Sequence, residues 1–135
     1  MNDRTTDLRQ QLIDTARRMA AAGLTRGTAG NLSVRAEERG GGFLITPTGM
    51  AYEALESEDI VFMRLDGTPA GRRLPSSEWR FHRDLYVARP DAGAILHAHS
   101  PFATSLACLR RDEQELLMDL LDKMIKKGSH WARIY

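Results

Sequence analysis

Only one cysteine, Cys108, occurs among 135 residues, so no intramolecular disulfide can form, and a reducing cytoplasm is the expected setting. The opening Met1-Asn2-Asp3-Arg4-Thr5-Thr6 lacks the apolar core of a signal peptide, and no apolar run approaches the roughly 20 residues that span a bilayer. A formal net charge of +1 argues against a nucleic-acid surface; Arg72-Arg73, Arg110-Arg111 and Lys126-Lys127 are scattered pairs that suit solvent or helix ends. Internal repeats and domain boundaries are also missing. What remains, 42% hydrophobic and 27% charged residues, is the make-up of one globular domain with one sizeable core.

Against that plain background stands Gly93-Ala94-Ile95-Leu96-His97-Ala98-His99. A strand points alternate residues to one side, so His97 and His99 would share a face with Ile95 while Ala94, Leu96 and Ala98 take the other. Two imidazoles on a packed strand suit one metal ion; the same pair also suits hydrogen-bonded core or surface histidines.

Three further segments carry small polar groups in turns. In Pro75-Ser76-Ser77-Glu78-Trp79-Arg80-Phe81-His82 a proline-closed loop meets a helix start, where Ser76 or Ser77 can cap and Glu78 favours the helix dipole. The same N-terminal N–H groups and hydroxyls can bind an anion, and a carboxylate beside a metal can move a proton. Gly27-Thr28-Ala29-Gly30-Asn31 is a glycine-bounded turn before the alternating strand Leu32-Ser33-Val34-Arg35, and Ile45-Thr46-Pro47-Thr48-Gly49 follows the strand Phe43-Leu44-Ile45. Each is either a simple turn or an anion-binding loop; none is a Walker loop or a dinucleotide fingerprint.

Taken in order, Gly27-Thr28-Ala29-Gly30-Asn31, Ile45-Thr46-Pro47-Thr48-Gly49, Pro75-Ser76-Ser77-Glu78 and His97-Ala98-His99 resemble the class II aldolase/adducin family, most closely its L-fuculose-phosphate aldolase branch, from about Leu8 to Arg111. The resemblance implies a zinc-dependent aldehyde-lyase that cleaves a ketose 1-phosphate to dihydroxyacetone phosphate and an aldehyde. It implies phosphate binding by Thr28, Asn31, Thr48, Gly49, Ser76 and Ser77, zinc or another divalent metal on His97 and His99, and an acid/base role for Glu78. It also implies a homo-oligomer, tetrameric in the family. Two other functions fit the same residues: a metal-dependent sugar-phosphate dehydratase, epimerase or decarboxylase, and a non-catalytic adducin-like interaction module.

The sequence departs from the family after Arg111. Family members carry a third metal histidine in a downstream His-His-Gly or Asn-His-Gly segment, which is not found here. Instead a helix is predicted over about 112–128, with Asp112 and Glu115 as a capping pair, Leu116, Leu117, Leu120, Leu121, Met124 and Ile125 as an apolar stripe, and Gly128 as its stop. That stripe would cover the core or a partner subunit. His130 reads as a surface residue, a substitute ligand being its alternative. With two histidines, zinc binding and cleavage are expected to be weak.

Helices are predicted over Thr6–Ala22, over Ser77–Ala88 and after Ser100-Pro101. Strands are predicted near Asn31–Ala36, Phe43–Thr46, Ile60–Leu65 and Ala94–His99, with a loop over Thr68–Pro75. His82, four residues after Glu78, would pack or hydrogen-bond near the site, and Cys108 would be a small buried residue. The mixed order favours a single α/β domain over residues 1–135, a central, mainly antiparallel sheet flanked by helices, over a doubly wound sheet.

Overall fold

The segment Asn31-Leu32-Ser33-Val34-Arg35-Ala36 alternates polar and apolar residues, yet every one of them is buried. That combination places it in the middle of a sheet with a helix on each face. The computed structural model describes residues 3–23, 25, 28–99, 104–110 and 132–133, with backbone alone for 3–7, 99, 104–110 and 132–133. Helix α1 (Asp3–Ala21) comes first, then strands β1 (Asn31–Ala36), β2 (Gly42–Ile45), β3 (Val61–Arg64) and β4 (Pro69–Ala70). Helix α2 (Trp79–Ala88) and strands β5 (Ala92–His99), β6 (Thr104–Arg110) and β7 (Ala132–Arg133) follow. Among the described residues the sheet runs in the order β4-β3-β2-β1-β5-β6-β7, antiparallel throughout except for the β6–β7 pair. This is the α/β domain with a mainly antiparallel sheet that the sequence predicts.

The apolar side of β1, Leu32, Val34 and Ala36, joins Leu44, Phe62, Ala94, Leu96 and Ala98 beneath α1, whose Leu12, Ile13, Ala16 and Met19 recur at helical spacing and are buried. Each fully buried aliphatic side chain there stabilises the fold by about 1.5–3 kcal/mol. Arg9 and Arg17 tie α1 to the loops below it, donating to the carbonyls of Ile60 (2.6 Å) and Leu55 (3.0 Å). On the other face Phe43, Ile45, Val61, Met63 and Ile95 pack under α2 with Tyr86. Asn31, Ser33 and Arg35 point to that second face, and they decide where α2 sits.

Several elements differ from expectation. The residues after Pro101 continue as strand β6 from Thr104 where a helix was predicted; pairing with β5 from His99↔Thr104 onwards overrides the local helix-start signal of Ser-Pro. The loop over Thr68–Pro75 contains the two-residue strand β4, and its end is bridged to Pro47. Helix α2 begins at Trp79, two residues later than predicted, because Ser76 accepts the Glu78 N–H (3.3 Å) in a turn that precedes the helix. The helix predicted over 112–128 and His130 lie outside the described residues, as does the side chain of Cys108.

Arg72 and Arg73, expected to face solvent or a helix end, are exposed as expected, and both also reach Asp59, at 3.0 and 2.9 Å from Oδ1, while the Glu56 N–H donates to Oδ2 (2.9 Å). This clamp fixes the approach to Pro75-Ser76. Burial pushes the Asp59 carboxyl up, but the Glu56 N–H and the Arg73 and Arg72 guanidiniums outweigh it and hold it at about 2. An unfolded aspartate titrates near roughly 3.9, so the contribution of Asp59 is present in full above that pH and is lost as pH falls through about 2. In urea unfolding at pH 5, 4 and 3, the stability gap between wild type and Asp59→Asn is therefore expected to narrow with each step down. A constant gap would show that the clamp does not hold the ionised form.

Candidate active site

The turn at the start of α2 aims one carboxylate at one histidine. Glu78 occupies the N-cap position with no side-chain capping bond, so its carboxylate is left to project from the helix end. Its Oε2 lies 2.6 Å from Nδ1 of His97. The His97 ring is largely buried, and Phe81, one turn into α2, packs a ring against it with centroids 5.6 Å apart. His99 lies two residues further along β5, as the strand's last residue. Its side chain lies outside the described residues.

Three polar turns meet beside this pair. Thr46 joins the first two: its N–H donates to the Leu32 carbonyl (3.1 Å) and its Oγ1 accepts the Leu32 N–H (3.3 Å). The third segment adds to the other side, the Ser76 N–H donating to the Thr46 carbonyl (3.0 Å) and the Thr48 N–H to the Leu74 carbonyl (3.1 Å). Thr28, Thr48, Gly49 and Ser77 are exposed on these turns, whereas Asn31 and Ser76 are buried. Gly30 makes the first turn possible. It has φ +83°, and a Cβ there would stand 2.5 Å from the Thr25 side chain and 3.1 Å from the His97 carbonyl. Tyr52 holds the turn down from below, donating its hydroxyl to the Gly30 carbonyl (2.9 Å).

Beneath the surface lies a buried polar chain centred on His82, which was expected to pack or hydrogen-bond near the site and does both. His82 is fully buried; its Nδ1 is 2.6 Å from Ser33 Oγ, Ser33 Oγ is 2.8 Å from the Tyr86 hydroxyl, and its Nε2 bonds Asn31 Oδ1. Burial, with the adjacent His97 second, pushes the His82 imidazole down to about 3, so the ring is neutral at physiological pH. The sequence held the signal for this chain. Asn31, Ser33 and Arg35 alternate on β1, and His82 and Tyr86 are spaced four apart on α2, so two polar stripes face each other. Tyr52 had no such signal, because its contact with Gly30 depends on the path of the loop between β2 and β3.

Imidazole nitrogen and carboxylate oxygen are the donors that suit a divalent zinc ion, and His97 and Glu78 bring one of each into contact. Among the described residues no group of three such donors occurs. The donor chemistry of this pair is compatible with such an ion.

The fold has a known counterpart. Residues 10–132 match the Class II Aldolase and Adducin N-terminal domain, and the chain belongs to that family. It is 56% identical over 104 residues to a 5-methylthioribulose-1-phosphate/5-deoxyribulose-1-phosphate aldolase of Rhodospirillum rubrum, covering 77% of this chain and 46% of that relative. It is 48% identical over 104 residues to the L-fuculose phosphate aldolase of Escherichia coli K12, covering 77% of this chain and 47% of that protein. A solved L-fuculose 1-phosphate aldolase superposes with a TM-score of 0.66 at 41% identity, over 71% of this chain and 45% of that one. The chain spans about half the length of the curated relatives it matches.

Proposed function

We propose that this chain carries the phosphate-binding and proton-transfer part of a zinc-dependent aldolase that cleaves a ketose 1-phosphate to dihydroxyacetone phosphate and an aldehyde. The observation that carries the reading is the Glu78–His97 contact at the edge of three hydrogen-bonded polar turns. A divalent zinc held by His97 and His99 would supply Lewis-acid polarisation of the substrate carbonyl. The exposed hydroxyls of Thr28, Thr48 and Ser77, the Ser76 hydroxyl, the Asn31 amide and the open backbone at Gly49 bind the phosphate and so orient the reacting carbons. Glu78, anchored by a helix start and free of capping duty, moves the proton at its carboxylate. The names of the two relatives, both aldolases of sugar phosphates, support the substrate class. On this reading the protein acts in the cytoplasm as a homo-oligomer, with phosphorylated sugars as its partners.

The test pairs a product with a binding site. Release of dihydroxyacetone phosphate from 5-deoxyribulose 1-phosphate or fuculose 1-phosphate separates an aldolase from a dehydratase, epimerase or decarboxylase, and binding without any turnover marks an interaction module. Changing Ser76 and Ser77 together to Ala is expected to weaken inorganic phosphate in calorimetry by about 10-fold, as loss of hydrogen bonds to a charged group predicts. Unchanged affinity would remove phosphate from this site.

A further inference from the structure

Asn31 has two ends, and only one of them can serve an anion. Its carbonyl oxygen would meet phosphate oxygens with a like partial charge, whereas its NH2 group offers two donors. We propose that His82, through its Nε2–H bond to Asn31 Oδ1, is a positioning residue that turns the Asn31 NH2 group towards the phosphate. This inference rests on the phosphate site proposed above and adds the device that orients it.

The direction follows from donor and acceptor chemistry. Asn31 Oδ1 only accepts, so the proton of the neutral His82 ring sits on Nε2, and Nδ1 is left as an acceptor. The Ser33 hydroxyl lies 2.6 Å away and donates to it; Ser33 Oγ in turn accepts from the Tyr86 hydroxyl at 2.8 Å. A single order results: Tyr86 to Ser33 to His82 to Asn31. All four are at most 3% exposed, which keeps water from offering a competing partner to any link. Asn31 begins β1 directly after the Thr28–Gly30 turn, one residue from Leu32, to which Thr46 bonds. Its Cα partner on β5 is His97. Because Glu78 and His82 stand four residues apart, α2 meets the sheet at two neighbouring points, the carboxylate at His97 and the imidazole at Asn31. One helix thus sets both the metal-side and the phosphate-side group.

The experiment measures inorganic phosphate affinity of the full chain by calorimetry. His82→Phe keeps a ring but loses the donor and is expected to weaken phosphate by about 10-fold; His82→Gln restores an NH2 donor and should bind within about threefold of wild type. A purely structural role would predict the same loss in any background. Acting through Asn31 predicts instead that on an Asn31→Ala background His82→Phe changes phosphate affinity by less than about twofold, although it still lowers the urea midpoint. Tyr86→Phe, which removes only the far hydroxyl, should weaken phosphate by about two- to threefold and lose that effect on the same background; this milder pair decides the matter if His82→Phe does not fold. Additive losses, or wild-type affinity in His82→Phe or in Tyr86→Phe, overturn the proposal while leaving the phosphate site intact. Wild-type affinity in Asn31→Ala removes Asn31 from the phosphate site and overturns the proposal, whereas wild-type affinity in the Ser76/Ser77 double variant overturns the phosphate site itself.

Discussion

His97→Ala is expected to weaken zinc binding by at least about 100-fold, because even groups that merely orient a metal ligand cost 10–100-fold when removed, and His97 is proposed as a ligand itself. Three features converge on this one ring: the Glu78 carboxylate at 2.6 Å, the Phe81 ring at 5.6 Å, and a seat on β5 between two paired strands. The strand fixes the backbone and the aromatic contact narrows the ring's freedom, so little ordering entropy is left for the metal to oppose. Competition against a coloured chelator gives the affinity, and cobalt substitution gives a spectrum that reports whether imidazole is in the shell. Retention of wild-type zinc affinity and an unchanged cobalt spectrum would remove His97 from the metal site. Phosphate affinity in the metal-free protein should stay within about twofold, since the phosphate hydroxyls stand on other segments.

The elements that position this site were legible in the sequence to different degrees, for physical reasons. The α1 stripe of Leu12, Ile13, Ala16 and Met19 and the alternation of Ile95 and His97 against Ala94, Leu96 and Ala98 are local patterns, and they appear as expected. Strand β6 was not legible. Its strand character comes from pairing with β5 across a connection, and Ser-Pro alone signals a helix start. Strand β4 is only two residues long and exists through its pairing with Phe62 and Met63. At the site, the four motifs marked which segments matter, but not that Thr46 would hold all three turns together or that His82 would lie wholly buried beneath them. A lone histidine on a helix carries no mark of which strand it will meet. The facing stripe on β1 supplies that mark, and it is visible only when the polar face of the strand is read as carefully as the apolar one.

Arg35 is the residue on that stripe whose loss should cost most. Its guanidinium, 6% exposed, donates from Nε to the Ala92 carbonyl (2.8 Å) and from one terminal nitrogen to the carbonyls of Tyr86 (2.9 Å) and Arg89 (3.2 Å), and it lies 4.7 Å from the centre of the Tyr86 ring. The last carbonyls of a helix have no partner within it and carry its negative pole, so this cation both satisfies and neutralises the end of α2. Arg35→Met keeps the apolar stem but leaves those carbonyls buried without a charged donor, and is expected to lower unfolding free energy by about 3–5 kcal/mol. Arg35→Lys keeps the charge without the planar fork and should fall between the two. Urea midpoints at constant slope give the order wild type, Lys, Met. The consequence reaches the site, because α2 carries Glu78 and His82 together: in the Met variant, under conditions where it remains folded, phosphate and zinc affinity should fall in parallel. A Met variant within about 1 kcal/mol of wild type would mean that α2 is held by its apolar face alone, and that the polar stripe of β1 does not set the position of Glu78.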